Sequence, residues 1–374
     1  MTPNGDATGT EISGQKNIME KTRNLTVAGL CLASEEKYGK RIAFEIYRQG
    51  KICGLTNYRL LGIRRRQFAL LLDSLGVQAG SRVLLLSENR PEWAAAWFGI
   101  ALAGAVCVAA APDSPPEILD HICAHAGLSA ICVSRRHASA FVGTEKRSPI
   151  DPLIPVIIID SIAPAEPGRP TSGPAEQAFI SVSINGITKK LPLKEAKNMA
   201  YLPLVRPDDP AAVFYSGGVE TIRETTVSNR DLIERACSGG VKLFPRDRLL
   251  STISLANSFE LSRGLLRATA AGALTVYTDE ELPQQQLIAA AGALSPTIIL
   301  ALPGLVMEFR STFIDPLLKE DPFYRHALTK TLAYRRAGRK LLSALGRLIR
   351  CLEIDGSLPD EIKEFLNKIK FPTA

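Results

Sequence analysis

Several hallmarks of stapled, metal-holding or secreted proteins are missing from this chain. Its seven cysteines, at positions 31, 53, 107, 123, 132, 237 and 351, form no Cys-x-x-Cys pair and no even framework. Most lie in apolar runs, the pattern of buried thiols in a reducing compartment. Histidine is scarcer still, at four residues, of which His121 and His125 would share a helix face. A metal site would need a third and fourth ligand, and none is spaced to supply them, so no metal ligand is assigned. The first twenty residues are polar and have no apolar core, so they do not read as a secretory signal. Residues 94–111 are the one membrane-like run, uncharged for 18 residues and at the short limit for a span. Gly104 divides that run, which reads as a buried helix followed by a buried strand. The net charge of +7 is too modest to indicate nucleic acid as a partner.

What is present is a repeated alternation of apolar strands and amphipathic helices. Residues 1–24 are polar and rich in Gly, Thr and Asn, and read as a disordered tail. Strands are expected at 42–47, 51–57, 82–87, 106–110 and 130–134, with helices at about 60–75, from Pro91 and from Pro115-Pro116-Glu117. From 135 to 210 the pattern loosens, leaving one strand at 155–160 and a hairpin near 180–191. Alternation resumes with strands at 211–215, 249–254, 274–277 and 297–300 and helices at about 259–271 and 282–292. The expected divisions are 25–140 and 211–374 as two α/β units joined by an irregular segment at 141–210. Residues 323–350 hold eight Lys/Arg and read as a basic amphipathic helix. Such a helix has either one buried and one solvated face or an anionic membrane against it.

The stretch AAVFYSGGVETIRETTVSNRDL, residues 211–232, carries the functional signal. An apolar strand runs into Ser216-Gly217-Gly218, where small residues let the backbone turn tightly and approach a ligand. Ser228 and Asp231 form a capping box for a following helix. Strand, small-residue loop and helix together suit a phosphate. Charge argues the other way. Residues 216–226 carry Glu220 and Glu224 against Arg223 alone, a net charge of −1. A carboxylate about 4 Å from a phosphate costs about 1 kcal/mol in water and about 4 at a protein surface.

Residues 75–117 (LGVQAGSRVLLLSENRPEWAAAWFGIALAGAVCVAAAPDSPPE) resemble the AMP-forming acyl-CoA synthetases, which activate carboxylic acids with ATP. The runs LGVQAGSRV, ENRPEW and the Gly-rich, proline-closed segment carry the resemblance. It extends through 206–318, closest to the long-chain fatty acid branch. Laid on the family's phosphate loop, T-S-G-T-T-G-x-P-K-G, Ser216 and Gly217 match. Tyr215 stands for the first Thr, Gly218 for a later Thr, Glu220 for a Gly, Arg223 for the Lys and Glu224 for the last Gly. The resemblance thus assigns nucleotide contacts to Tyr215, Ser216, Gly217, Gly218 and Arg223. In a second family motif Asn257 stands where the family has His, and Asn257 and Phe259 are assigned to the adenylate and acyl side.

The resemblance implies the layered parallel-sheet α/β fold of the large amino-terminal domain of adenylate-forming enzymes, incomplete and without the small carboxy-terminal domain. It implies ATP and magnesium as cofactors. The eroded loop and the lack of the family's later catalytic motifs lead to the expectation that they are not bound productively. No catalytic residue is assigned. The expected function is a synthetase-like chain unable to adenylate a fatty acid alone. Alternatives are the amino-terminal half of a split ligase completed by a separate chain, or a non-catalytic protein that binds an acyl group or a membrane surface. A cytoplasmic chain is expected, attached at most peripherally to anionic membrane through 323–350.

Overall fold

The computed structural model describes residues 26–142, 150–161, 179–185, 187–192, 203–217, 221–278, 284–325 and 329–373. The expected disordered tail, Gly218 and Glu220 lie outside them. Two mostly parallel sheets form the frame, as expected of a layered α/β chain. The first has eight strands in the order β10-β9-β4-β3-β5-β6-β7-β8. These are β3 (Arg82–Leu86), β4 (Val106–Ala110), β5 (Leu128–Val133), β6 (Val156–Ile158), β7 (Phe179–Ile184), β8 (Ile187–Pro192), β9 (Pro210–Ser216) and β10 (Arg223–Ser228). The second runs β14-β13-β11-β12-β1-β2, with β1 (Ile42–Arg48), β2 (Lys51–Asn57), β11 (Arg248–Ser251), β12 (Leu274–Thr278), β13 (Ile298–Ala301) and β14 (Cys351–Ile354).

The central strands are short apolar runs with little alternation, because helices cover both faces of a parallel sheet. All five residues of β4 and all four of β13 are buried. The helix Pro91–Leu102 is buried from Pro91 through Ala101, and Trp93 stacks on Trp97 at 6.4 Å between ring centres. One continuous core joins these tryptophans to Val83 and Cys107 of the first sheet and to Phe44 and Tyr277 of the second. This confirms the helix-then-strand reading of residues 94–111, and no described helix is long and apolar enough to cross a membrane. All seven cysteines are free.

The sheets do not follow the expected division of the chain. The β1–β2 hairpin, from the early segment, joins the second sheet through parallel pairing of Phe44 with Thr275. β9 and β10, from the later segment, join the first sheet through Cys107 against Ala212. The strand and the hairpin expected within the connecting segment are present as β6, β7 and β8 and belong to the first sheet. Strand pairing is set by which apolar edges fit across the fold, and adjacency in sequence does not encode it.

Candidate functional site

In open parallel sheets, ligands bind at the carboxyl ends of the strands. β9 ends there in Tyr215 and Ser216, followed by Gly217 at φ +100°. A Cβ at Gly217 would lie 2.2 Å from the carbonyl oxygen of Thr221, so the loop folds onto itself too closely for any larger residue. Beyond it comes β10, an antiparallel strand pairing Arg223 with Ser216 and Glu224 with Tyr215. The loop therefore closes a hairpin, where the sequence suggested that it leads towards a helix. The helix Asn229–Cys237 begins six residues later, with the Ser228–Asp231 capping box in place. β10 was hidden because Thr225 and Thr226, polar and exposed, face solvent at the sheet's edge.

The hairpin also changes the meaning of Glu224. Arg82 grips both of its carboxylate oxygens, at 3.1 and 2.7 Å, and the Tyr215 hydroxyl donates to it at 2.8 Å. The hydrogen bonds from Arg82, then that from Tyr215, hold the Glu224 carboxyl below its usual range. Tyr215 is pushed up to about 12 by burial and by the same carboxylate. His121 meets the Tyr215 ring edge-on at 6.1 Å and lies 4.6 Å from the His125 ring, so these two histidines do share a face. Glu224 is thus a neutralised anchor of the hairpin, and its expected repulsion of a phosphate is corrected. Arg223 is exposed and remains the cation of this stretch.

Asn257 and Phe259 sit on the other sheet, in the turn after β11. The Asn257 side chain donates to Asp355, just beyond β14, at 3.1 Å and accepts from the Phe259 amide at 2.7 Å. Phe259 packs half-buried against the cluster of Leu249, Ile253 and Ala268. No hydrogen bond or ion pair among the described residues links this group directly to the hairpin of Tyr215, Ser216, Gly217 and Arg223.

The link between the sheets is Asn89, inside the ENRPEW run but not singled out from the sequence. From the end of β3 its amide donates to the Ile253 carbonyl at 2.6 Å and to Ser251 at 3.3 Å. Its oxygen accepts from the Leu255 amide at 2.7 Å. Beside it Glu260 is fully buried, accepting from the Ser251 hydroxyl at 2.8 Å. Burial pushes its carboxyl up to about 8, against the pull of Ser251 and Arg267. Glu260 opens a π-helical turn, Glu260–Leu266, and a glutamate at a helix start gave no signal in the sequence that it would be buried.

Among the described residues no cluster of three His, Cys, Asp or Glu is arranged to hold a metal ion. Arg223 is the single cation of residues 216–226.

Two mostly parallel sheets meet at the carboxyl ends of their strands, with a glycine hairpin at one end, in a layered α/β fold. Residues 33–371 match the AMP-binding enzyme family, and the chain belongs to that family. A segment of 70 residues is 43% identical to the long-chain-fatty-acid–CoA ligase heimdall of Drosophila melanogaster, covering 19% of this chain and 10% of that protein. Another of 161 residues is 29% identical to triostin synthetase I of Streptomyces triostinicus, covering 43% and 26%. The fold is similar to that of the anthranilate CoA ligase AuaEII in complex with anthranoyl-AMP. The TM-score is 0.65 at 15% identity, over 94% of this chain and 58% of that one. The chain thus matches only a minor part of these two relatives and little over half of that structure.

Proposed function

We propose that this chain is an acid-activating scaffold of the acyl- and aryl-CoA ligase type that does not complete adenylation by itself. The observation that carries this reading is the hairpin at residues 215–224. Adenylation places a carboxylate in line with a phosphate and stabilises the charge that moves, which takes preorganised cations and amides. Here Arg223 stands alone, and Glu224, where the family has glycine, is committed to Arg82. The short, strong similarity to heimdall supports a fatty acid as the acid once served by this site.

Pyrophosphate exchange with fatty and aromatic acids, together with calorimetry of Mg-ATP, tests it. No exchange and no low-micromolar binding are expected; exchange at enzyme-like rates would overturn the proposal. Restoring the family pattern at 219–224 is expected to strengthen ATP binding.

A second reading retains activity and gives the missing groups to a separate chain. It is favoured by the edge strand β14 of the second sheet, whose outer side carries only an isolated parallel bridge between Leu352 and Thr373 among the described residues. Open sheet edges add strands. Co-purification distinguishes the two, since the second reading requires a stable complex with a second chain that supports pyrophosphate exchange and the first does not.

A further inference from the structure

The helix Lys330–Ala344 belongs to neither half of the candidate site, and its two faces differ sharply. One is built of small and apolar residues, Ala333, Ala337, Gly338 and Leu341, and packs into the second core. A Cβ at Gly338 would stand 2.0 Å from the Ile369 carbonyl oxygen, so the helix lies hard against Asp360–Ile369 and cannot roll. Leu332 lies off this face and is 43% exposed.

The outward face holds Leu332, Arg335, Arg336, Arg339 and Lys340, continued by Arg347 and Leu348. Residues 322–352 contain eight Lys/Arg and no Asp or Glu. None of the outward cations has an acidic partner among the described residues. The adjoining helix does carry acids, but Asp360, Glu361 and Glu364 are matched by Lys363, Arg310 and Lys368. The positive field of this face is therefore uncompensated. Apolar groups stand within it: Leu348 is 58% exposed, and Phe323 is exposed beneath the Arg336 guanidinium at 5.0 Å.

We infer that this face docks on an anionic phospholipid bilayer, with the cations at the headgroups and Leu332, Leu348 and Phe323 entering the acyl boundary. Charge complementarity alone would also suit a nucleic acid backbone. Exposed leucines among the cations distinguish the two, since they gain from an acyl boundary and have no counterpart on a phosphate backbone. Basic side chains near an anionic leaflet each strengthen binding about five-fold, and salt screens the effect.

The test is co-sedimentation of the full chain with vesicles of phosphatidylcholine alone or with added phosphatidylserine. Binding is expected only to the anionic vesicles and is expected to fall in high salt. The triple variant R335Q/R339Q/K340Q, all at exposed positions, is expected to bind roughly 100-fold more weakly. L332S/L348S is expected to weaken binding while leaving its salt dependence in place. Circular dichroism confirms that the variants are folded. Equal binding to neutral vesicles, no effect of the triple variant, or binding to an RNA duplex with none to vesicles would each overturn the inference.

Discussion

Glu260 accepts from Ser251 with one carboxylate oxygen, while the other is buried without a partner. Its carboxyl, raised to about 8 in the fold, titrates near 4.3 in the unfolded chain. Below the lower value both states hold the proton and the site is neutral in effect. Between the two values only the folded chain holds it, so stability declines as pH rises, by at most about 1.4 kcal/mol per pH unit. Glu260→Gln keeps an acceptor for Ser251 and is expected to remove this decline. Urea midpoints measured across that window check it, and an unchanged slope counts against it. Glu224 has the opposite sign. Its carboxyl is depressed, so its contribution is present above the unfolded value and lost as pH falls through the folded one. Because both partners are about a third exposed, Glu224→Gln is expected to cost no more than about 1 kcal/mol at neutral pH. A larger loss in urea unfolding would show that the hairpin depends on this pair more than the geometry indicates.

At the scale of elements, the helices at the second sheet meet through very small residues. Gly338 gives the Lys330–Ala344 helix its close approach to Asp360–Ile369. Gly338→Ala adds a methyl where backbone already stands, and overpacking of this kind typically costs about 1–3 kcal/mol. Helix propensity alone favours alanine, by roughly 0.8–1.0 kcal/mol, so the two effects oppose each other. A lowered melting temperature is the expected result; a raised one would mean that the helices separate easily. The β9–β10 hairpin makes a related point. Its second strand is set by its antiparallel ladder to β9, with Arg82 and Tyr215 holding Glu224, although the residues Arg223–Ser228 alternate too weakly to declare a strand.

For the whole molecule, Asn89 decides how the sheets sit on one another at their carboxyl ends. Its three hydrogen bonds all cross from the first sheet to residues 251–255 of the second. Asn89→Ala leaves the Leu255 amide unpaired and the Ile253 carbonyl with only the long 3.5 Å bond from the Ser251 hydroxyl, and an unpaired group costs about 1–3 kcal/mol when buried. Loss of stability of that order is expected, with a shallower denaturant transition as the sheets uncouple. Hydrogen exchange at Leu255 reads the same contact directly, and continued protection there would refute the role.

Much of this architecture follows from local sequence. The apolar runs at 82–86, 106–110 and 298–301 are strands because short continuous apolar segments satisfy a two-sided parallel sheet. Pro91 opens a helix and Ser228 with Asp231 caps another by short-range hydrogen bonding. The family was legible too, in the residues around ENRPEW. Tertiary structure alone decided which strands are neighbours, since β1 pairs with β12 and β9 with β4 across long stretches of chain. It also decided that Glu224 is neutralised by a residue 142 positions away, that Glu260 is buried, and that Leu332 faces outward. The physical reason is shared: hydrogen-bonded edges, ion pairs and burial are set by distance in space, and sequence periodicity reports only what lies within a turn or two of the same segment.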